Sequence, residues 1–149
     1  MKKRITGLVA LVLAGAVLWA CGADEITVNT YLAIKNGGYD FAKNINQLKR
    51  DQTGTSASMA VQSIQTNAYE ALTIATDVGN QGYAFFRNIT TNATWYVDIG
   101  VDDPSLTNLI ALVRLEALDV ALFRLHPTTV VYAQANGGSV DLEFWVLED

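Results

Sequence analysis

From Ile26 to Val146 the chain repeatedly alternates apolar and polar side chains with a period of two, and this points to β-structure almost throughout. Successive side chains of a strand point to opposite faces, so one buried face demands that alternation, whereas an amphipathic helix needs a period near 3.6. Ile26, Val28, Thr30, Leu32 and Ile34 alternate with Thr27, Asn29, Tyr31 and Lys35. Tyr83, Phe85, Arg87 and Ile89 alternate with Ala84, Phe86 and Asn88, and Trp95, Val97, Ile99 and Val101 alternate with Thr94, Tyr96 and Asp98. Val140, Leu142, Phe144 and Val146 oppose Asp141 and Glu143.

Turn-forming residues separate these runs. Asn36-Gly37-Gly38 predicts a turn into a short return strand over Tyr39 to Lys43, and the polar stretch from Asn44 to Ser58 reads as a loop. Met59 to Asn67 and Tyr69 to Thr76 are two further strands, followed by a turn over Asp77 to Gly82. The strands around Phe85 and Val97 read as a hairpin turning at Thr90-Thr91-Asn92 and ended by Asp102-Asp103-Pro104-Ser105, and Thr128 to Gln134 reads as a second hairpin with Val140 to Val146 through Asn136-Gly137-Gly138. Leu106 to Leu125 fits a Ser105-capped helix and, equally, two strands joined near Glu116 to Asp119. Many short strands joined by tight turns imply an all-β fold, an antiparallel β-sandwich or jelly roll, built as a single domain over residues 21–149.

Charge narrows the partners. From residue 21 onward seven basic residues stand against fifteen acidic ones, a surface that repels phosphate backbones, so no nucleic acid is expected. The residue types that carry chemistry are sparse. The only histidine, His126, precedes Pro127 at a strand end and reads as a surface residue; metal sites of the zinc type need several His or Cys ligands. Asp102 and Asp103 have calcium-type oxygens without the spaced set of an EF-hand and read as a solvated turn. Asp141 and Glu143 share a strand face and could pose as a glycosidase pair, although an exposed face looks the same. Asp77 to Gly82 lacks a phosphate-loop pattern. Asn88-Ile89-Thr90 and Asn92-Ala93-Thr94 match glycosylation acceptors and read as polar hairpin-tip residues. Tyr83, Phe85, Phe86, Trp95 and Tyr96 could stack on sugars, with about half of them facing the core. No enzyme, cofactor or metal is expected, and strand faces read as core before ligand platform.

The N-terminus has a different composition. Lys2, Lys3 and Arg4 precede an uncharged run from Ile5 to Ala20, and Leu18-Trp19-Ala20-Cys21-Gly22 follows. This resembles a bacterial lipoprotein signal peptide over residues 1–20, an apolar signal or anchor helix, with Cys21 as the lipid-attachment residue. The run is shorter than the roughly 20 apolar residues of a comfortable span. Cys21 is the only cysteine, so no intramolecular disulfide is possible. The resemblance implies a lipid-anchored protein of the cell envelope, and the absence of an aspartate directly after Cys21 favours the outer membrane.

Beyond Ala23 a second resemblance covers nearly the whole chain. Its segments are Ala23-Asp24-Glu25-Ile26-Thr27-Val28-Asn29, Gly82-Tyr83-Ala84-Phe85-Phe86-Arg87-Asn88, Tyr96-Val97-Asp98-Ile99-Gly100-Val101, Ala121-Leu122-Phe123-Arg124-Leu125, Val131-Tyr132-Ala133-Gln134-Ala135-Asn136 and the end from Val140 to Asp149. Together they resemble small tailed-phage virion proteins of the head, neck or tail. That resemblance implies a β-rich, non-enzymatic assembly protein located in the virion, partnered by other protein subunits in a closed homo-oligomer, for which virion symmetry suggests a trimer. It also favours strand–turn–strand for Leu106 to Leu125, where Leu115-Glu116-Ala117-Leu118-Asp119 replaces the family's Pro-Gly turn. The alternatives are an envelope protein, bacterial or prophage-encoded, that binds an outer-membrane partner and masks a phage receptor, or a sugar-binding module.

Overall fold

The structure is a computed structural model that describes residues 26–36, 39–50, 52, 54–103, 105 and 108–149. The apolar segment over residues 1–20 and Cys21 lie outside the described residues. The chain divides into two compact units, Met1–Gln52 and Thr53–Asp149. All regular structure among the described residues is β, and every paired strand runs antiparallel.

The first unit contains a hairpin of β1 (Ile26–Asn36) and β2 (Tyr39–Arg50), with Asn36 opposite Tyr39. The return strand is therefore far longer than its first five residues, and Asn44 to Arg50 is not loop. Pairing steps from Val28–Leu48 to Thr30–Ile45, so β2 carries one extra residue there. Such a bulge shifts the side-chain parity and erases the alternation that would have marked the strand in the sequence.

Among its described residues the second unit holds eight strands: β3 (Ala57–Ile64), β4 (Glu70–Ala71), β5 (Gln81–Asn88), β6 (Tyr96–Asp103), β7 (Asn108–Leu115), β8 (Val120–Arg124), β9 (Tyr132–Asn136) and β10 (Val140–Glu148). They form two four-stranded sheets, ordered β3-β10-β5-β8 and β4-β9-β6-β7. The pairs nest from the outside in: β3 with β10, β4 with β9, β5 with β8, β6 with β7. Among the described strands of this unit only β6 and β7 are consecutive and paired with each other, and every other connection crosses to the opposite sheet.

That wiring corrects both hairpin expectations in this unit. β5 and β6 are strands as expected, yet β5 pairs with β10 and β8 while β6 pairs with β7 and β9. β9 and β10 likewise belong to different sheets. Of the stretch expected as helix or strand–turn–strand over Leu106 to Leu125, the described residues from Asn108 onward form strand–turn–strand, with β7 and β8 also in different sheets. The strand expected over Tyr69 to Thr76 is reduced to the short β4, extended by the Leu72 N–H donating to Val131 O.

One core joins both sheets. The central strand β10 contributes Val140, Leu142, Phe144 and Val146, all fully buried, and β5 contributes Ala84 and Phe86. Val97 and Ile99 from β6 and Ala133 and Ala135 from β9 complete it from the other sheet. Phe86 stacks on Phe123 with ring centroids 5.3 Å apart. Each large apolar side chain removed from water here contributes roughly 1.5–3 kcal/mol before chain entropy is counted.

Candidate interaction surface

Burial of one parity exposes the other. On the β3-β10-β5-β8 sheet the outward side chains fall into rows across the strands. Met59 pairs with Trp145, Trp145 with Phe85, and Phe85 with Leu122, so one apolar row spans all four strands. Met59 is 62%, Trp145 44% and Leu122 44% exposed, which leaves a large apolar stripe in water. Phe85 and Trp145 meet in a tilted pair with centroids 5.7 Å apart. The neighbouring row reads Val61, Glu143, Arg87, Val120, and Val61 and Val120 are likewise exposed. Soluble surfaces carry scattered apolar residues, but a contiguous patch with polar neighbours marks a contact surface.

Both cations of this face are paired, and Asp141 on β10 adds one further outward acid. Arg87 lies 3.8 Å from Glu143, and Arg124 pairs with Asp149. Over residues 53–149 there are only three arginines and no lysine against eleven acidic residues, and two of those arginines sit on this face. The remaining surface of the unit is therefore strongly acidic, and this sheet face is the region where another acidic molecule meets least repulsion.

The opposite sheet has a mixed outer face, apolar at Ile110 and Leu112 of β7, 47% and 64% exposed, and polar and aromatic around Tyr96, Asp98 and Arg114. Arg114 donates from Nε to Asp98 Oδ1 (2.8 Å) and from Nη2 to Asp98 Oδ2 (3.0 Å) and lies over the Tyr96 ring, 3.9 Å from its centroid. The Asp98 bond holds the guanidinium even further above its ordinary value. Tyr69 donates its hydroxyl to Asp102 Oδ1 at 2.6 Å, which raises the phenol's pKa, and its ring packs edge-on against Tyr132. This network fixes the surface by fork-shaped and charge-assisted bonds.

The residues singled out from the sequence are dispersed. Asp102 serves Tyr69, and Asp103 Oδ1 accepts from the Ser105 N–H, so the acidic turn is engaged in local bonding. Asp141 is exposed on β10, and Glu143 is paired with Arg87. His126 is exposed beside Thr128. No group of three or more His, Cys, Asp or Glu side chains arranged to hold a metal occurs among the described residues. The five aromatics do not form one platform: Phe86 is in the core, Phe85 and Tyr83 face outward on one sheet, Tyr96 belongs to the other, and Trp95 is half-buried against the core.

Two structural residues were missed. Asn88, expected at a hairpin tip, is fully buried. It donates from Nδ2 to Leu115 O (3.1 Å) and accepts from the Thr90 N–H (3.0 Å), tying the end of β5 to the end of β7 in the opposite sheet. Its parity with Ala84 and Phe86 was the available signal. Glu148 was also overlooked: its carboxylate accepts from the backbone N–H groups of Gly79, Ser56 and Thr55, which together pull its pKa below the ordinary value. Comparison with protein-family models, with curated proteins and with solved structures found no match to this chain.

Proposed function

We propose that this chain is a non-enzymatic structural or assembly protein of the tailed-phage virion kind, which works through protein–protein contact at the outer face of the β3-β10-β5-β8 sheet. The exposed row Met59–Trp145–Phe85–Leu122 carries this reading. Such a row weakens solubility unless a partner covers it, and aromatic side chains in an apolar patch are the usual anchors of protein interfaces. Eight strands paired outside-in as two four-stranded sheets agree with a jelly roll, an architecture used by viral capsid and lectin domains. Fold alone does not assign function, so the weight rests on the surface. Particles purified from a strain encoding the gene should contain the chain in fixed stoichiometry, and Trp145→Asp should remove it from them. Particles without the chain would refute the virion role.

A second reading rests on Lys2-Lys3-Arg4, the apolar run and Cys21. In it the chain is acylated at Cys21 and held in the outer membrane, where the same sheet face binds an envelope protein. Cys21→Ser should then release the chain from the membrane fraction; unchanged fractionation would remove this reading.

A further inference from the structure

The registers of the candidate face have a symmetry that selects one occupant. Consider a two-fold axis lying in the plane of the interface, parallel to the strands, and passing between β10 and β5. It lays two copies of the sheet face to face with β10 over β5 and β3 over β8. Each row is then matched against itself in reverse order. In the apolar row, Trp145 faces the second copy's Phe85 and Met59 faces its Leu122. In the adjacent row, Glu143 faces the second copy's Arg87, Arg87 faces its Glu143, and Val61 faces its Val120. Large apolar groups meet large apolar groups, and each charge meets its opposite twice. A two-fold axis along the row instead brings Glu143 over Leu147 and Arg87 over Tyr83, so the charges lose their partners.

We propose that a second copy of this chain covers the β3-β10-β5-β8 face as a two-fold symmetric dimer. The inference rests on the reading of that face as a protein contact surface and names its partner. Isologous contact requires a self-complementary patch, and the reversed rows supply one. The Arg87–Glu143 pair within each copy becomes part of an alternating four-charge ring across the axis. Elsewhere the acidic excess of the unit opposes self-association, which confines it to the face that carries two of the unit's three arginines. The four strands of 8, 9, 8 and 5 residues, about 4.8 Å apart with about 3.3 Å per residue, give roughly 475 Å² in projection per copy, so the pair comes near the threshold of about 1,000 Å² for a specific interface. Two faces of twisted antiparallel sheet also pack naturally with strands near parallel.

The test is the solution mass of the full-length chain, in mild detergent so that residues 1–20 do not impose association, by light scattering across about 1–100 µM. Twice the monomer mass is expected. Met59→Asp and Trp145→Asp should each return the monomer at concentrations where the unchanged chain is dimeric, while Leu112→Asp, on the other sheet and 64% exposed, should leave the dimer intact. Glu143→Arg and Arg87→Glu should each weaken the dimer at least tenfold, and the two together should restore it. Circular dichroism verifies that each variant retains its β-structure, and Met59 is exposed enough that its change leaves folding intact. A monomer throughout, a trimer, a dimer indifferent to Met59→Asp and Trp145→Asp, or no rescue by the charge exchange would overturn the proposal. A monomeric chain whose Trp145→Asp variant still drops out of particles would refute the dimer and leave the proposed function standing.

Discussion

Asn88 offers a sharp test of how the two sheets are joined. It is fully buried on the inner face of β5, and its amide spans to the carbonyl of Leu115 while its oxygen takes the N–H of Thr90. Its own backbone is engaged as well, with Asn88 N–H donating to Asp119 O and the Leu118 N–H donating to Asn88 O. Asn88→Ala keeps the backbone bonds and deletes both side-chain bonds. Each is worth about 0.5–1.5 kcal/mol net, and a stranded buried partner raises the loss to about 1–3 kcal/mol. The cavity adds about 24 cal/mol per Å³. Expected destabilisation is about 3 kcal/mol, a large part of the roughly 5–15 kcal/mol that holds a domain of this size. The corresponding fall in melting temperature is about 12–24 °C.

Urea unfolding followed by tryptophan fluorescence measures this, since Trp95 and Trp145 both lie in the sandwich. Asn92→Ala is the control: Asn92 is exposed and only orders its own turn through Thr94, so about 0.5 kcal/mol or less is expected. Asn88→Asp distinguishes a hydrogen-bond role from simple volume. The carboxylate still accepts from Thr90 but turns an oxygen toward the Leu115 carbonyl at a fully buried position. Its folded pKa would rise, so the variant should regain stability relative to the unchanged chain as pH falls and the carboxyl becomes a donor. A loss under about 1 kcal/mol for Asn88→Ala, together with a pH profile of Asn88→Asp parallel to that of the parent, would refute the bridging role.

Gly100→Ala should cost about 1–3 kcal/mol, because a Cβ there would stand 2.0 Å from the backbone oxygen of Ile110, where the β6–β7 register shifts; a thermal melt within 2 °C of the parent would contradict this. Leu118→Asn should stabilise by about 1 kcal/mol, since Leu118 holds a φ of 68° in an exposed turn and asparagine tolerates that region; an unchanged urea midpoint would show that the conformation is not strained. Glu148 has a folded pKa depressed below 4.5, so its contribution is complete above that value and is lost as pH falls through the folded pKa; Glu148→Gln should flatten the acid side of the stability profile, and an unaltered profile would show that the carboxylate does not tie Gly79, Ser56 and Thr55.

The strands were legible because parity is a local property. Val140 to Val146 alternates without interruption, and the structure buries one parity and exposes the other as written. Partner choice was not legible, because it depends on where each connection goes. Thr90 to Trp95 looks like a hairpin loop by composition, yet it carries the chain from β5 in one sheet to β6 in the other. The same holds for Asn136-Gly137-Gly138, whose Gly137 adopts a φ of 87°. A turn residue relieves local strain whether the chain returns beside itself or crosses over the core. Bulges hid two further features: the extra residue in β2 concealed its second half, and the shift between Ile99 and Gly100 broke the parity of β7 around Leu112.

The contact surface was hidden for a related reason. A strand whose two faces are both apolar reads only as hydrophobic, so Met59, Phe85 and Leu122 were indistinguishable from core positions or, for Phe85, from a sugar platform, whereas Trp145 shares the outward parity of Asp141 and Glu143. They come from four strands separated by as many as 86 residues, and only the registers set them in one row. The balance of Glu143 against Arg87 is likewise a property of the assembled sheet. A nested fold makes this unavoidable: strands adjacent in the chain alternate between sheets, so every row across a sheet draws on distant segments. Such a chain builds its surface only when its topology is complete. A fragment lacking β3 and β10 would therefore lose the surface together with the core, and no excised peptide carrying Phe85 or Trp145 should compete for the intact protein's partner.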